Sequence, residues 1–247
     1  MPSDTTSVRA HSFTLRFLKK EELARDTYSF YFDRAGVAFD FIPGQYVRMT
    51  LPHDSDGRGS SRYFTIASSP KQKDILMITV KVFQSTFKEV LLNLQPGQII
   101  QFFGPMGWFL LPEDAADEKV FIAGGIGITP FHSLLLTLAD EKLARPVTLF
   151  ASFSTKEEVL FYDEMQKIVQ KNKQIRVVYL LTKKEDALGK LVSGRLTKTV
   201  LKKYLGDIQQ PVYYIVGSPA MVEGAKNALV SFEIAEEKIR TEDFTGY

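Results

Sequence analysis

Cysteine is absent from this 247-residue chain. Its absence excludes disulfide-stapled folds, thiolate zinc sites, cysteine nucleophiles and cysteine-ligated iron–sulfur clusters within these residues. Histidine is scarce as well: His11, His53 and His132 are scattered at no metal-ligand spacing, so no metal site is expected. Charge of one sign does not accumulate. Lys and Arg number 31 against 29 Asp and Glu, with 13 basic and 11 acidic residues through Glu113 and 18 of each beyond it. Neither part is a basic block of the kind that binds nucleic acid, and the aromatics are not interleaved with a basic stripe. No apolar run nears the roughly 18 residues of a membrane span. The polar residues 1–7 lack the basic and apolar regions of a signal peptide, so a cytoplasmic address is expected.

What is present is an ordinary globular composition, 45% hydrophobic and 24% charged. At roughly 150 residues per domain the length amounts to about 1.6 domains, so one large barrel and two compact domains both remain open. The texture of the chain favours two. From Phe13 to about Phe109, short alternating or apolar runs (28–32, 45–51, 75–82, 98–103) are broken by Gly, Pro and Asp, the pattern of an antiparallel β-domain. Within it Phe87, Leu91 and Leu94 share a helical face before Pro96 and Gly97 end the helix. The polar stretch 113–119 reads as the joint, with domains expected over 1–113 and 114–247. Beyond it, apolar strands at 120–123, 147–151, 175–181 and 212–216 alternate with helices at 130–140, 160–170, 198–204 and 220–232. Strands apolar on both faces that alternate with helices imply a parallel sheet covered by helices.

Two motifs carry chemistry. Gly124-Gly125-Ile126-Gly127-Ile128-Thr129-Pro130 lies between a strand and a helix. Glycines admit close backbone approach, and Thr129 as N-cap with Pro130 as first helical residue would aim free amides and the helix dipole at a phosphate. Proline at 130 replaces the third glycine of the Rossmann fingerprint, and there is no P-loop lysine. The second motif, Arg62-Tyr63-Phe64-Thr65, lies on a β-domain strand. Arginine, aromatic and hydroxyl are expected along one face of it, as a phosphate clamp, a stacking surface and a hydrogen-bonding group that would suit a flavin.

These motifs stand in order with residues 43–47 (PGQYV), 104–107 (GPMG) and 216–222 (VGSPAMV). Together they resemble the ferredoxin–NADP⁺ reductase superfamily over nearly the whole chain, from about residue 12 to Tyr247. The resemblance implies a stand-alone oxidoreductase in which an antiparallel flavin-binding β-barrel is followed by a parallel-sheet nucleotide-binding α/β domain. It implies that Arg62 holds a flavin phosphate, with Tyr63 beside it on the same strand. Phe64 would lie against the isoalloxazine or ribityl chain, and Thr65 would hydrogen-bond near N5. Ser85, Thr86 and Lys88 fall where the family makes its second phosphate contact. That favours FAD over FMN, with Lys88 equally readable as a solvated charge.

In the second domain the resemblance sets Gly124, Gly125, Gly127, Ile128 and Thr129 against the nucleotide pyrophosphate. Gly217, Ser218, Pro219 and Met221 would meet the nicotinamide half, with Val216 where many relatives have cysteine. The C-terminal segment implies an aromatic over the flavin, Phe244 before Tyr247, the alternative being a hydrophobic tail docked between domains. Glu242 would assist proton traffic or sit in an exposed salt bridge. Ser154 follows the second strand with no acidic residue in 152–156. With Lys156, Lys183 and Arg195, that turn leans toward NADPH over NADH. His132 reads as a surface or capping histidine.

The activity so implied is hydride transfer from NAD(P)H to FAD, then electron transfer to an external acceptor such as ferredoxin, flavodoxin or an oxygenase component. The alternatives are a flavin or ferric reductase with a diffusible acceptor, or an electron-transfer subunit of a larger complex.

Overall fold

The computed structural model describes residues 9–52, 57, 59–82, 85–107, 109, 118–143, 146–183 and 191–244. The chain divides into two compact units, Met1–Leu110 and Leu111–Tyr247. The sequence-based boundary at 113/114 falls in 110–117, outside the described residues.

Unit 1 holds β1 (His11–Ala24), β2 (Thr27–Asp33), β3 (Tyr46–Thr50), β4 (Ser61–Thr65), β5 (Ile75–Lys81), α1 (Thr86–Leu92) and β6 (Ile99–Met106). The strands form one antiparallel sheet in the order β4-β3-β6-β1-β2-β5. Period-2 alternation sets its inner face: Phe13, Leu15 and Phe17 of β1 are buried, as are Val47 and Met49 of β3 and Ile100 and Phe102 of β6. The Phe102 ring packs edge-on to Phe32, centroids 5.0 Å apart, and stacks on Phe13 at 5.6 Å. Each such buried aromatic contributes roughly 1.5–3 kcal/mol. Helix α1 adds Phe87 and Leu91 to this core. At the far ends of the sheet, Ile66 bridges Ile78 and the Ala67 amide donates to the Met77 carbonyl, so the chain leaving β4 meets β5.

Unit 2 holds β7 (Lys119–Gly124), a 3₁₀ turn (Gly125–Ile128), α2 (Thr129–Leu138), β8 (Val147–Phe153), α3 (Tyr162–Lys171), β9 (Ile175–Leu181) and β10 (Leu191–Ser193). They are followed by α4 (Lys198–Leu205), β11 (Val212–Gly217), α5 (Pro219–Ser231) and β12 (Ile239–Asp243). All six strands are parallel, in the order β10-β9-β8-β7-β11-β12. Strand order reverses between β7 and β11, and open sheets of this kind bind ligands outside the carboxyl ends of the strands at such a point. Strands β10 and β12 were not expected from sequence. β10 is three residues long, and β12 carries Arg240, Thr241, Glu242 and Asp243, polar residues that suit an edge and hide the strand from a hydrophobicity reading.

Candidate functional site

In unit 1 the site is built on β4 and the start of α1. Pairing with β3 sets Arg62 opposite Met49 and Phe64 opposite Val47, on the inner side of the sheet. Tyr63 is opposite Arg48 and Thr65 opposite Tyr46, on the other side. The expectation of arginine, aromatic and hydroxyl along one face is therefore corrected: adjacent strand residues alternate, so Tyr63 and Thr65 leave the face that Arg62 and Phe64 share.

Phe87, in the first turn of α1, receives both of those side chains. Its ring centroid lies 5.1 Å from the Arg62 guanidinium carbon and 6.0 Å from the Phe64 ring. Arg62 Nη1 donates to the carbonyls of Gly59 and Ser61, each at 2.8 Å, which fixes the fork. The hydroxyl of Thr86, the residue before Phe87, is buried with no hydrogen-bond partner. An oriented guanidinium against two aromatic rings, with an orphaned hydroxyl one residue along α1 from Phe87, fits a ligand with phosphate and a flat apolar ring. Ser85 is the N-cap of α1 but makes no side-chain capping bond. Lys88 is not a solvated charge, since its Nζ donates to the Lys81 carbonyl at 2.7 Å.

In unit 2 the loops after β7 and β11 cross at very short range. A Cβ on Gly127 would lie 2.4 Å from the Val216 carbonyl oxygen. On Gly124 or Gly217 it would come within 2.8 Å of the Met221 side chain. Only glycine allows this approach, and Met221 fills what space is left. Gly125 has φ +53° with open space around it, which leaves its surroundings clear for a ligand.

The cap expected at Thr129 is corrected. The 3₁₀ turn runs directly into α2, Ile128 already has helical φ and ψ, and the Thr129 hydroxyl donates back to the Ile126 carbonyl at 3.0 Å. Thr129 is buried, so the candidate amides for an anion lie earlier, at Gly124–Ile126. Pro219 does open α5, with Ser218 as its N-cap.

His132 is fully buried, against the surface reading. Its Nε2 hydrogen-bonds Glu164 Oε2 at 2.7 Å, and its ring stacks on Phe161 with centroids 3.8 Å apart. It joins α2 to α3 and belongs to the scaffold of the glycine loop. Glu242 is not in an exposed salt bridge. It is partly buried opposite Val216 in the β11–β12 ladder, and burial pushes its carboxyl up to about 7. The Phe244 amide donates to the Gly217 carbonyl at 2.8 Å, which pins the tail to the glycine turn. Tyr247 lies outside the described residues.

After β8, an acidic residue that the window 152–156 lacked arrives from further on: Glu158 Oε2 accepts the Ser154 amide at 3.3 Å. The Lys183 amide donates to the Ser154 carbonyl at 3.1 Å, so Lys183 is brought to this turn. Lys156 lies 3.9 Å from Glu157, and Arg195 is exposed. The Thr155 hydroxyl, just beyond the carboxyl end of β8, is buried without a partner.

Comparison with known proteins matches the two units separately. Residues 14–110 match the family described as oxidoreductase FAD-binding domain, and residues 121–227 that described as oxidoreductase NAD-binding domain. The reductase component of propane 2-monooxygenase from Mycolicibacterium smegmatis is 26% identical over 216 residues, 84% of this chain and 60% of that protein. The reductase component of phenol 2-monooxygenase from Pseudomonas sp. is 24% identical over 207 residues, 83% of this chain and 58% of that protein. The chain thus spans about 60% of the length of these relatives.

Among solved structures, the Amycolatopsis cytochrome P450 reductase GcoB superposes with a TM-score of 0.84 at 24% identity, covering 97% of this chain and 72% of that one. A ferredoxin NADP⁺ reductase from Neisseria gonorrhoeae with bound FAD and NADP gives 0.78 at 22% identity, covering 94% and 98%. At such identities the likeness is one of fold. Taken with the two family matches, it shows an oxidoreductase FAD-binding domain followed by an oxidoreductase NAD-binding domain in one chain with the fold of these reductases.

Proposed function

We propose that the chain takes hydride from NAD(P)H onto FAD and passes the electrons to an external acceptor, as the reductase component of a larger electron-transfer complex. The observation that carries this is the presence, in one chain without cysteine, of both a guanidinium–aromatic cradle at Arg62, Phe64 and Phe87 and a glycine crossing at Gly124, Gly127 and Gly217. Relatives named as reductase components of propane and phenol monooxygenases favour, among the expected acceptors ferredoxin, flavodoxin and an oxygenase component, the last of these.

Bound FAD supplies the conversion between a two-electron hydride and electrons delivered singly or in pairs. The protein's share is orientation. Arg62 and the Thr86 hydroxyl would hold the flavin phosphates, and Phe64 would present its ring to the flavin or ribityl chain. The amides of Gly124–Ile126 would receive the nucleotide pyrophosphate, and Met221 and Phe244 would border the nicotinamide. Glu242, paired with Val216 and protonated in part near neutrality, would hold or release a proton there. Thr65, on the opposite side of β4, is left with a role only at the strand's end. In this reading the sheet of unit 1 closes into a barrel through the Ile66–Ile78 bridge, and the domain boundary falls in the stretch 110–117.

An anaerobic titration of the purified protein with NADH and with NADPH, followed by visible spectra, tests the proposal. Stoichiometric bleaching of a co-purifying flavin is expected. A protein that binds no flavin, or whose flavin neither nucleotide bleaches, would overturn it.

A further inference from the structure

Sulfur is confined to methionine in this chain, and one methionine stands where the two glycine loops of unit 2 cross. Met221 lies in the first turn of α5, and its Sδ is 2.8 Å from the point a Cβ would occupy on Gly124 and 2.8 Å from that point on Gly217. Two separate backbones face one thioether. Met49, Met77 and Met165 are buried, whereas Met221 is half-buried and within reach of small solutes. Met106, half-buried on β6 of unit 1, shares that exposure without the crossing.

A thioether suits this place because it is apolar, unbranched and adaptable. Its sulfoxide is polar and carries one more atom on the sulfur. Pointed at Gly124 or Gly217, the added oxygen would meet backbone, at positions where even a Cβ has no room. It must instead leave through the exposed side of Met221 or force the β7 and β11 loops apart. Either course disturbs the turn at which the amides of Gly124–Ile126 are offered.

We propose that Met221 is a peroxide-sensitive modification site, and that its sulfoxide weakens nucleotide binding at the glycine crossing. The co-reactant is a hydroperoxide. With hydrogen peroxide, one oxygen passes to Sδ: the O–O bond breaks, an S–O bond forms, sulfur gives up two electrons and the peroxide leaves as water. The step itself needs neither flavin nor nucleotide, and the inference rests on the proposed reading only in taking the crossing as the nucleotide site. No thiol in the chain competes for the oxidant, since cysteine is absent and Val216 is the residue beside the crossing.

The test treats the whole purified protein with hydrogen peroxide, with and without saturating NADP⁺ or NAD⁺, and locates added oxygen by peptide mass spectrometry. Met221 is expected to gain one oxygen, more slowly when nucleotide is bound, while the rate at Met106 ignores nucleotide. The nucleotide Kd, measured by calorimetric titration, should rise about fivefold or more after treatment, and methionine sulfoxide reductases should restore it. Met221→Gln, with a polar amide in place of the thioether, should bind nucleotide weakly before any peroxide is added. Met221→Leu, close in volume and without sulfur, should hold its own Kd unchanged through the treatment. A Met221 that gains no oxygen, a Met221-oxidised protein whose Kd is unmoved even if it melts lower, or a Leu variant that loses as much affinity as wild type overturns the modification site alone. Untreated wild type that binds neither nucleotide removes the nucleotide site, and this inference with it.

Discussion

Val216 and Glu242 are directly paired in the parallel β11–β12 ladder, one residue before the glycine turn at Gly217. Where many relatives have a thiol this chain has a valine, and across the ladder from it a carboxyl that burial raises to about 7. A raised carboxyl favours the fold while protonated. Its contribution is therefore complete below pH about 4.5 and is lost as pH rises through about 7. Allowing for partial exposure, the loss is on the order of 1–2 kcal/mol. Urea midpoints measured from pH 5 to 8 should fall across that window, and Glu242→Gln should flatten the fall. An identical pH profile in the variant would refute the assignment.

Arg62→Ala should release flavin. Charge-assisted hydrogen bonds to phosphate are worth about 1.5–3 kcal/mol, so the flavin Kd should rise roughly 10- to 100-fold. Arg62→Lys should recover only part of this, because a point charge does not reproduce a fork held by two carbonyls. Flavin content after gel filtration is the readout, and a fully loaded Ala variant would count against the clamp.

Nucleotide choice should respond to Glu158. If Lys183 and Arg195 meet a 2′-phosphate, as the proposed reading has it, the Glu158 carboxylate at the Ser154 amide would oppose it. Wild-type kcat/KM is expected to be modestly higher for NADPH than for NADH. Glu158→Gln should raise that ratio about fivefold, an effect on the order of 1 kcal/mol for one partly solvated charge. A ratio unmoved by the substitution would place the carboxylate too far from the nucleotide to matter.

The contrast between Glu158 and the residues before it shows how much the sequence disclosed. The two units, the helix after Phe87 and the parallel αβ alternation were legible because apolar period and turn residues are local signals. So was the clustering of glycines at 124–127 and 217. What stayed hidden were returns in space: Glu158 folding back on Ser154, His132 buried against Glu164, and Thr129 spent on Ile126. Strand parity could have been read. Arg62 and Thr65 are three residues apart and must lie on opposite faces, so the expectation of a single face was an error in applying the period. β12 was missed because an edge strand need not be apolar.

The glycine crossing yields the sharpest stability prediction, because the obstruction at Gly127 is backbone. A methyl there would lie 2.4 Å from the Val216 carbonyl oxygen and 2.9 Å from the Gly217 Cα, and neither atom belongs to a side chain that can rotate away. Gly127→Ala must therefore push the β7 and β11 loops apart, at a cost of about 3 kcal/mol. In a folding unit of this size that lowers Tm by roughly 6–12 °C. Gly125→Ala is the control. Nothing lies within 4 Å of its Cβ, so only the left-handed backbone at φ +53° opposes it, a penalty of about 1–2 kcal/mol. Both variants should weaken nucleotide binding if the loop receives the pyrophosphate. Thermal melting with and without NADP⁺ separates the effects: Gly127→Ala should lose more intrinsic stability, and each should show a smaller nucleotide-induced rise in Tm than wild type. An Ala at 127 that melts no lower than an Ala at 125 would show that the two turns are not held at this distance.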